Sequence, residues 1–305
     1  MSVRQVKIAE ETIVDGRAFP LTLGPAGDSN AASLLEFVRN HKESLLQQAL
    51  LHGAVLLRGW DLKSAEDFAQ IGEALALEKF PYVGGAAPRT NVVRDVVFTT
   101  NESPPECPIP FHHEMAQCPT PPSYVLFYCD TPPASGGETP IILSSEVARY
   151  FRVKHKAFYE AVKKHGVRYV RVMPSEDDNS SPIGRSWKST FNAATREEAE
   201  AAMKAIGTEW EWLENGDCKT TTAVVPAVKV NEQNGQEMFF NSMVAAYTGW
   251  TDSRNDPTKA VILGNGEPVD GDALLDIEKY QIENRVAFKF VASPHCSPTL
   301  VPWSF

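Results

Sequence analysis

At 305 residues, 43% hydrophobic and 22% charged, the chain has the composition of a globular protein with room for one large domain or two ordinary ones. Its formal net charge of −10 argues against a nucleic-acid or anionic-membrane partner, since both need a basic surface. The five cysteines, Cys107, Cys118, Cys129, Cys218 and Cys296, are scattered without a C-x-x-C pair, so reduced thiols in an intracellular protein are expected.

The first residues lack the apolar core of a signal peptide, and no apolar run approaches bilayer-spanning length, which points to the cytoplasm. Residues 31 to 51 carry apolar side chains at helical spacing, and a continuous apolar run at 53 to 59, bounded by glycines, reads as a buried strand. Residues 64 to 77 predict a second helix capped by Ser64. From 80 to 110 the texture turns to Pro/Gly-rich loops around a short strand at 92 to 99. Strands follow at 123 to 129 and 139 to 143, separated by a turn cluster. A helix is expected at 145 to 165, a strand at 166 to 173, and a polar, acidic loop at 174 to 185, which includes Asn179-Ser180-Ser181, a formal glycosylation sequon read as a polar loop. Helices at 196 to 206 and 270 to 282 frame strand candidates at 223 to 230 and 238 to 241, and an apolar strand starts at 288. Strands and helices do not alternate strictly, so the pattern fits an α+β, double-sheet jelly roll decorated with helices better than a doubly wound parallel sheet.

The chemistry concentrates at Phe111-His112-His113-Glu114-Met115-Ala116 and, further on, Gly136-Gly137-Glu138-Thr139-Pro140. In an extended strand, residues i and i+2 share a face, so His112 and Glu114 project together while His113 projects away. One imidazole and one carboxylate converge, and a second imidazole from a distant strand would complete a facial triad that leaves positions of an iron(II) ion open.

These two motifs occur in order with segments 81–89, 100–105, 184–191 and 240–250. Together they resemble the TauD/TfdA-type iron(II)- and 2-oxoglutarate-dependent dioxygenases, most closely the plant clavaminate synthase-like proteins, from about residue 50 to about residue 290. The resemblance implies one jelly-roll domain in which His112 and Glu114 are the first two iron ligands. It also implies that the Thr139 hydroxyl hydrogen-bonds a carboxylate of 2-oxoglutarate, and that a small-molecule substrate is oxidised as 2-oxoglutarate is converted to succinate.

The pattern breaks at the C-terminal end. Family members close the site with a strand carrying the second histidine and then an arginine that pairs with the far carboxylate of 2-oxoglutarate. Residues 291 to 305 contain no arginine and are Pro-rich in a way that argues against a central strand, and His295, the sole histidine there, does not match the family position. The expectation is therefore an early chain end, an iron site with two protein ligands, weak metal binding, and an exposed sheet edge. On this reading the competing functions are a catalytically inactive form acting as a scaffold or small-acid binding protein and, with less support, a zinc hydrolase.

Other residues stay open. His113 is a packing residue or supports the ligands from behind. Asn101 and Arg89 either face substrate or serve as a turn asparagine and a surface arginine. Trp187, Phe191, Phe240 and Trp250 line a pocket or fill the core. Asp177-Asp178 and Glu197-Glu198 read as solvated faces.

Overall fold

A computed structural model describes residues 3–80, 84–87, 89–100, 102, 107–132, 134–232, 235–288 and 299–302. The architecture mixes helices with small sheets. One sheet has five strands, in the order Val3–Gln5, Leu21–Pro25, Val55–Leu57, Thr299–Pro302 and Tyr124–Phe127. A second has four, in the order Glu209–Trp212, Cys218–Thr221, Val167–Met173 and Val261–Leu263. Among the described residues the remaining strands form two-stranded pairs, and no closed barrel is formed.

Leu21–Pro25 and Val55–Leu57 run parallel, so a long crossover must join them. That crossover contains the helix Ala31–His52. It begins where the Asn30 side chain accepts from the Ser33 amide at 2.9 Å, and it stops at Gly53, whose φ of 75° is left-handed. Its buried face, Leu34, Phe37, Val38, Leu45 and Ala49, follows helical spacing and packs on Val55, Leu57 and Trp60. Burying a side chain the size of Phe37 contributes about 1.5–3 kcal/mol. A second core forms around Phe151, Tyr159, Tyr169, Met243 and Leu274. Val167–Met173 feeds it from alternate positions, as a half-buried strand should.

Four sequence expectations change. The helix at 145 to 165 is two helices, Ser144–Lys154 and Lys156–His165, broken at His155, whose φ and ψ of −123° and 49° are not helical. The hairpin Glu209–Trp212 with Cys218–Thr221 was not anticipated, and the stretch 223 to 230 is not one strand: Val225 forms an isolated antiparallel bridge with Val167, and Lys229–Val230 pairs with Glu237–Met238. Asp177 and Asp178 are not merely solvated. Asp177 accepts from the Ser186 amide at 2.7 Å, and Asp178 binds Arg254 at 2.6 Å. Glu198 likewise closes a capping box with Thr195.

The fourth change concerns the tail. Thr299–Pro302 lies between two strands of the five-stranded sheet, where an interior strand had been argued against. It pairs with Tyr124–Phe127 over four positions but with Val55–Leu57 only at Thr299 and Leu300. Pro302, which lacks an amide hydrogen, thus sits past the last rung on the Val55–Leu57 side, and the proline rule is respected at the strand end.

Candidate metal and co-substrate site

The segment 111–113 is neither helix nor paired strand, and 114–117 is a turn in which Met115 adopts a φ of 57°. It is not the strand that the spacing suggested. The two side chains come together nonetheless. His112 Nε2 and Glu114 Oε2 stand 3.9 Å apart.

The backbone between them is pinned from below. The His113 amide donates to the Asn241 carbonyl at 3.3 Å, and the Ser242 hydroxyl donates to the His113 carbonyl at 3.2 Å. The His113 ring turns inward, hydrogen-bonds the Ser144 hydroxyl through Nε2, and lies 4.6 Å from the Phe240 ring. Burial, reinforced by the charges of His112 and Lys229, pushes the His113 pKa down to about 3. His113 is therefore a neutral supporting residue at physiological pH.

His112 Nδ1 lies 2.9 Å from the Pro110 carbonyl oxygen. A carbonyl only accepts, so Nδ1 carries a proton, and Nε2, the nitrogen left to serve as a metal donor, stands on the side of Glu114. Glu114 in turn divides its two oxygens: Oε1 accepts from Arg89 Nη2 at 2.8 Å, and Oε2 faces His112. The Glu114 and Arg89 side chains are only 14% and 21% exposed, so each carries a charge that wants a counter-charge. Arg89 is thus a partner of the expected ligand carboxylate and not a loose surface arginine.

These groups border a cavity of about 820 Å³ whose wall also includes Thr139, Trp250 and Gln281. Gly136 and Gly137, at φ 66° and 69°, turn the chain just before the strand Thr139–Ile141, which pairs antiparallel with Val286–Phe288 in the register Thr139 opposite Phe288. Thr139 is half-buried on that wall. Of the four aromatic candidates only Trp250 lines the cavity, while Trp187, Phe191 and Phe240 are buried in the core. The Cys118 thiol, pushed up to about 12 chiefly by burial, is no thiolate ligand at neutral pH.

Sequence reasoning missed Gln281. It is 4% exposed, lines the cavity, and its Oε1 has no hydrogen-bond partner among the described residues. The signal was present, since Gln281 continues the buried stripe Leu274, Ile277 of the helix Gly271–Asn284 and is the polar member of it.

Two donors converging from one segment, one of them a tautomer-fixed imidazole, suit a divalent metal of the iron(II) kind and fit two of its protein ligands. Among the described residues no group of three histidines, cysteines or carboxylates gathers to hold a metal. His295 and Asn101 lie outside the described residues.

The family model for the taurine catabolism dioxygenase TauD, TfdA family matches residues 17–292. The chain is 45% identical over 289 residues to a clavaminate synthase-like protein of Arabidopsis thaliana, an alignment covering 93% of this chain and 87% of that one. It is 28% identical over 213 residues to the dapdiamide synthesis protein DdaC of Enterobacter agglomerans, covering 70% of this chain and 60% of that one. Among solved structures, PvcB of Pseudomonas aeruginosa aligns over 99% of this chain and 82% of its own, with a TM-score of 0.51 at 13% identity. The structure of AAD-2 in complex with Mn(II) and N-oxalylglycine aligns over 99% and 87%, with a TM-score of 0.50 at 12% identity. These two likenesses speak to the fold alone.

The chain belongs to the TauD/TfdA family. It is by family a non-haem iron, 2-oxoglutarate-dependent dioxygenase, with Fe(II) and 2-oxoglutarate as metal and co-substrate. The match begins at residue 17, earlier than the motifs alone suggested, and so takes in the strand Arg17–Phe19.

Proposed function

We propose that the chain is a single jelly-roll dioxygenase domain that oxidises a small organic substrate while 2-oxoglutarate is decarboxylated to succinate, with His112 and Glu114 as metal ligands and Thr139 as a co-substrate contact. The observation that carries this reading is the 3.9 Å approach of His112 Nε2 to Glu114 Oε2 on the wall of a cavity large enough for two small organic molecules.

Each residue has a task set by its surroundings. The Pro110 carbonyl fixes the His112 tautomer, and the packing of His113 between Ser144 and Phe240 holds the backbone that carries both donors. The Thr139 hydroxyl donates a hydrogen bond to a carboxylate of the 2-oxo acid. Trp250 and the neighbouring apolar wall keep bulk water from the bound organic groups. Iron(II), when bound, supplies the oxidising chemistry, which no side chain of this set can provide.

A second reading, a small-acid binding protein without turnover, is favoured by one observation: the described residues gather two metal donors and not three. Succinate formation separates the two. Incubation with Fe(II), ascorbate, oxygen and 2-oxoglutarate should yield succinate above a metal-free control even without a primary substrate, and His112→Ala should abolish it. Binding of 2-oxoglutarate with no succinate at all would favour the second reading.

A further inference from the structure

Glu114 has two sides, and each is addressed by a different group. Its Oε1 is held by Arg89 Nη2 at 2.8 Å, while its Oε2 faces His112 Nε2 at 3.9 Å. Both members of the ion pair are mostly buried, and both line the same cavity. A cation drawn to Oε2 would therefore share one carboxylate with a permanent guanidinium charge, in surroundings where charges are poorly screened.

We propose that Arg89 is a built-in counter-ion of Glu114 that weakens the site's hold on a divalent metal alone and couples metal binding to binding of the anionic 2-oxo acid. This rests on the assignment of His112 and Glu114 as metal ligands. In the metal-free protein Arg89 neutralises the Glu114 carboxylate, so a metal arriving without an anion meets a site already satisfied and a like charge beside it. When a dicarboxylate enters the cavity with the metal, the same guanidinium attracts it. Arg89 thus sets the sign of two effects, against the cation alone and in favour of cation plus anion. Binding free energies are reciprocal, so the factor by which 2-oxoglutarate tightens the metal equals the factor by which the metal tightens 2-oxoglutarate.

The test is anaerobic calorimetric titration of the full chain with Mn(II), with and without saturating 2-oxoglutarate, for wild type, Arg89→Gln, Arg89→Met and Arg89→Lys. The neutral variants should bind Mn(II) alone about tenfold more tightly than wild type, and the tightening brought by 2-oxoglutarate should shrink about tenfold, the size expected for one charge pair in a partly screened site. Arg89→Lys keeps the charge and should keep the wild-type coupling. Two neutral variants are included because one of them can fail to fold, and their melting curves identify which are measurable. Equal or weaker Mn(II) affinity in the neutral variants, or an unchanged coupling factor, would overturn the proposal and make Arg89 a merely structural partner. Arg89→Lys behaving like the neutral variants would overturn it as well, since geometry and not charge would then be at work. His112→Ala is the separate control on the site itself. If it binds Mn(II) as wild type does, the ligand assignment fails, whatever the Arg89 variants show.

Discussion

Gln281→Leu should make the metal-free protein more stable and worse at holding its organic ligand. The Gln281 amide is 4% exposed on a helix face otherwise occupied by Ala273, Leu274 and Ile277, and its Oε1 has no protein partner among the described residues. A buried polar group left without a partner costs about 1–3 kcal/mol, and leucine has nearly the same shape without that cost. A gain of about 1–2 kcal/mol is therefore expected in the metal-free chain, which corresponds to a rise in Tm of roughly 1.5–3 °C for a chain of this size. Thermal unfolding followed by circular dichroism, repeated at two scan rates to check reversibility, measures it. The second half of the reasoning is that the amide is kept for a ligand, so the KM for 2-oxoglutarate or for the primary substrate should rise in the same variant. A fall in Tm would refute the argument, because it would mean that the amide is already satisfied in the free protein.

Three further outcomes follow from the structure. Arg254→Met should destabilise the fold by about 2–4 kcal/mol, because Arg254 bridges Asp178 at 2.6 Å and Asp252 at 2.8 Å and the Asp252 side chain is only 8% exposed; urea unfolding midpoints measure the loss. The same pair sets a pH dependence. Burial works to raise the Asp252 pKa, but hydrogen bonds from Asn255, the Arg254 amide, Ser181 and the Arg254 side chain overcome it, and Asp178 is lowered chiefly by its bonds to Ser180 and Arg254. Both folded pKa values lie below those of the unfolded chain, so the unfolded state binds more protons in acid. This stability is fully present above the ordinary aspartate range and is lost as pH falls through the folded pKa values, and the urea midpoint should drop more steeply below about pH 4 in wild type than in Arg254→Met. Gly53→Ala should cost about 1–3 kcal/mol, since the residue sits at φ 75° and an added Cβ would stand 2.2 Å from Leu143 Cδ2; the shift in Tm checks it.

What could be read from the sequence was local. The His112-x-Glu114 pair was legible from its spacing, and the two side chains do meet, although the segment is a loop leading into a turn and not the expected strand. The helix Ala31–His52 was legible from its stripe and its glycine stop. The partner of Glu114 was not, because nothing local ties Arg89 to a residue 25 positions away. The hairpin of Glu209–Trp212 and Cys218–Thr221 escaped because its outward positions are charged, so the alternation of Glu and Trp did not look apolar enough, although Trp210 and Trp212 pack against the Met203 cluster. The break at His155 escaped because both flanking helices carry compatible apolar stripes. The tail strand Thr299–Pro302 was argued away by its prolines, and the register shows why the argument did not apply: the position that lacks an amide hydrogen falls at the strand end.

His112 and Glu114 are proposed to hold the metal that 2-oxoglutarate chelates. The most direct measurement is an anaerobic titration of the purified chain with Fe(II) and 2-oxoglutarate, following the visible charge-transfer band that forms when a 2-oxo acid chelates protein-bound iron. This ligand assignment predicts a saturable band at one equivalent of Fe(II) that is lost in His112→Ala and in Glu114→Ala. A band of unchanged intensity in both variants, or none in the wild-type chain at saturating metal and 2-oxoglutarate, would contradict it.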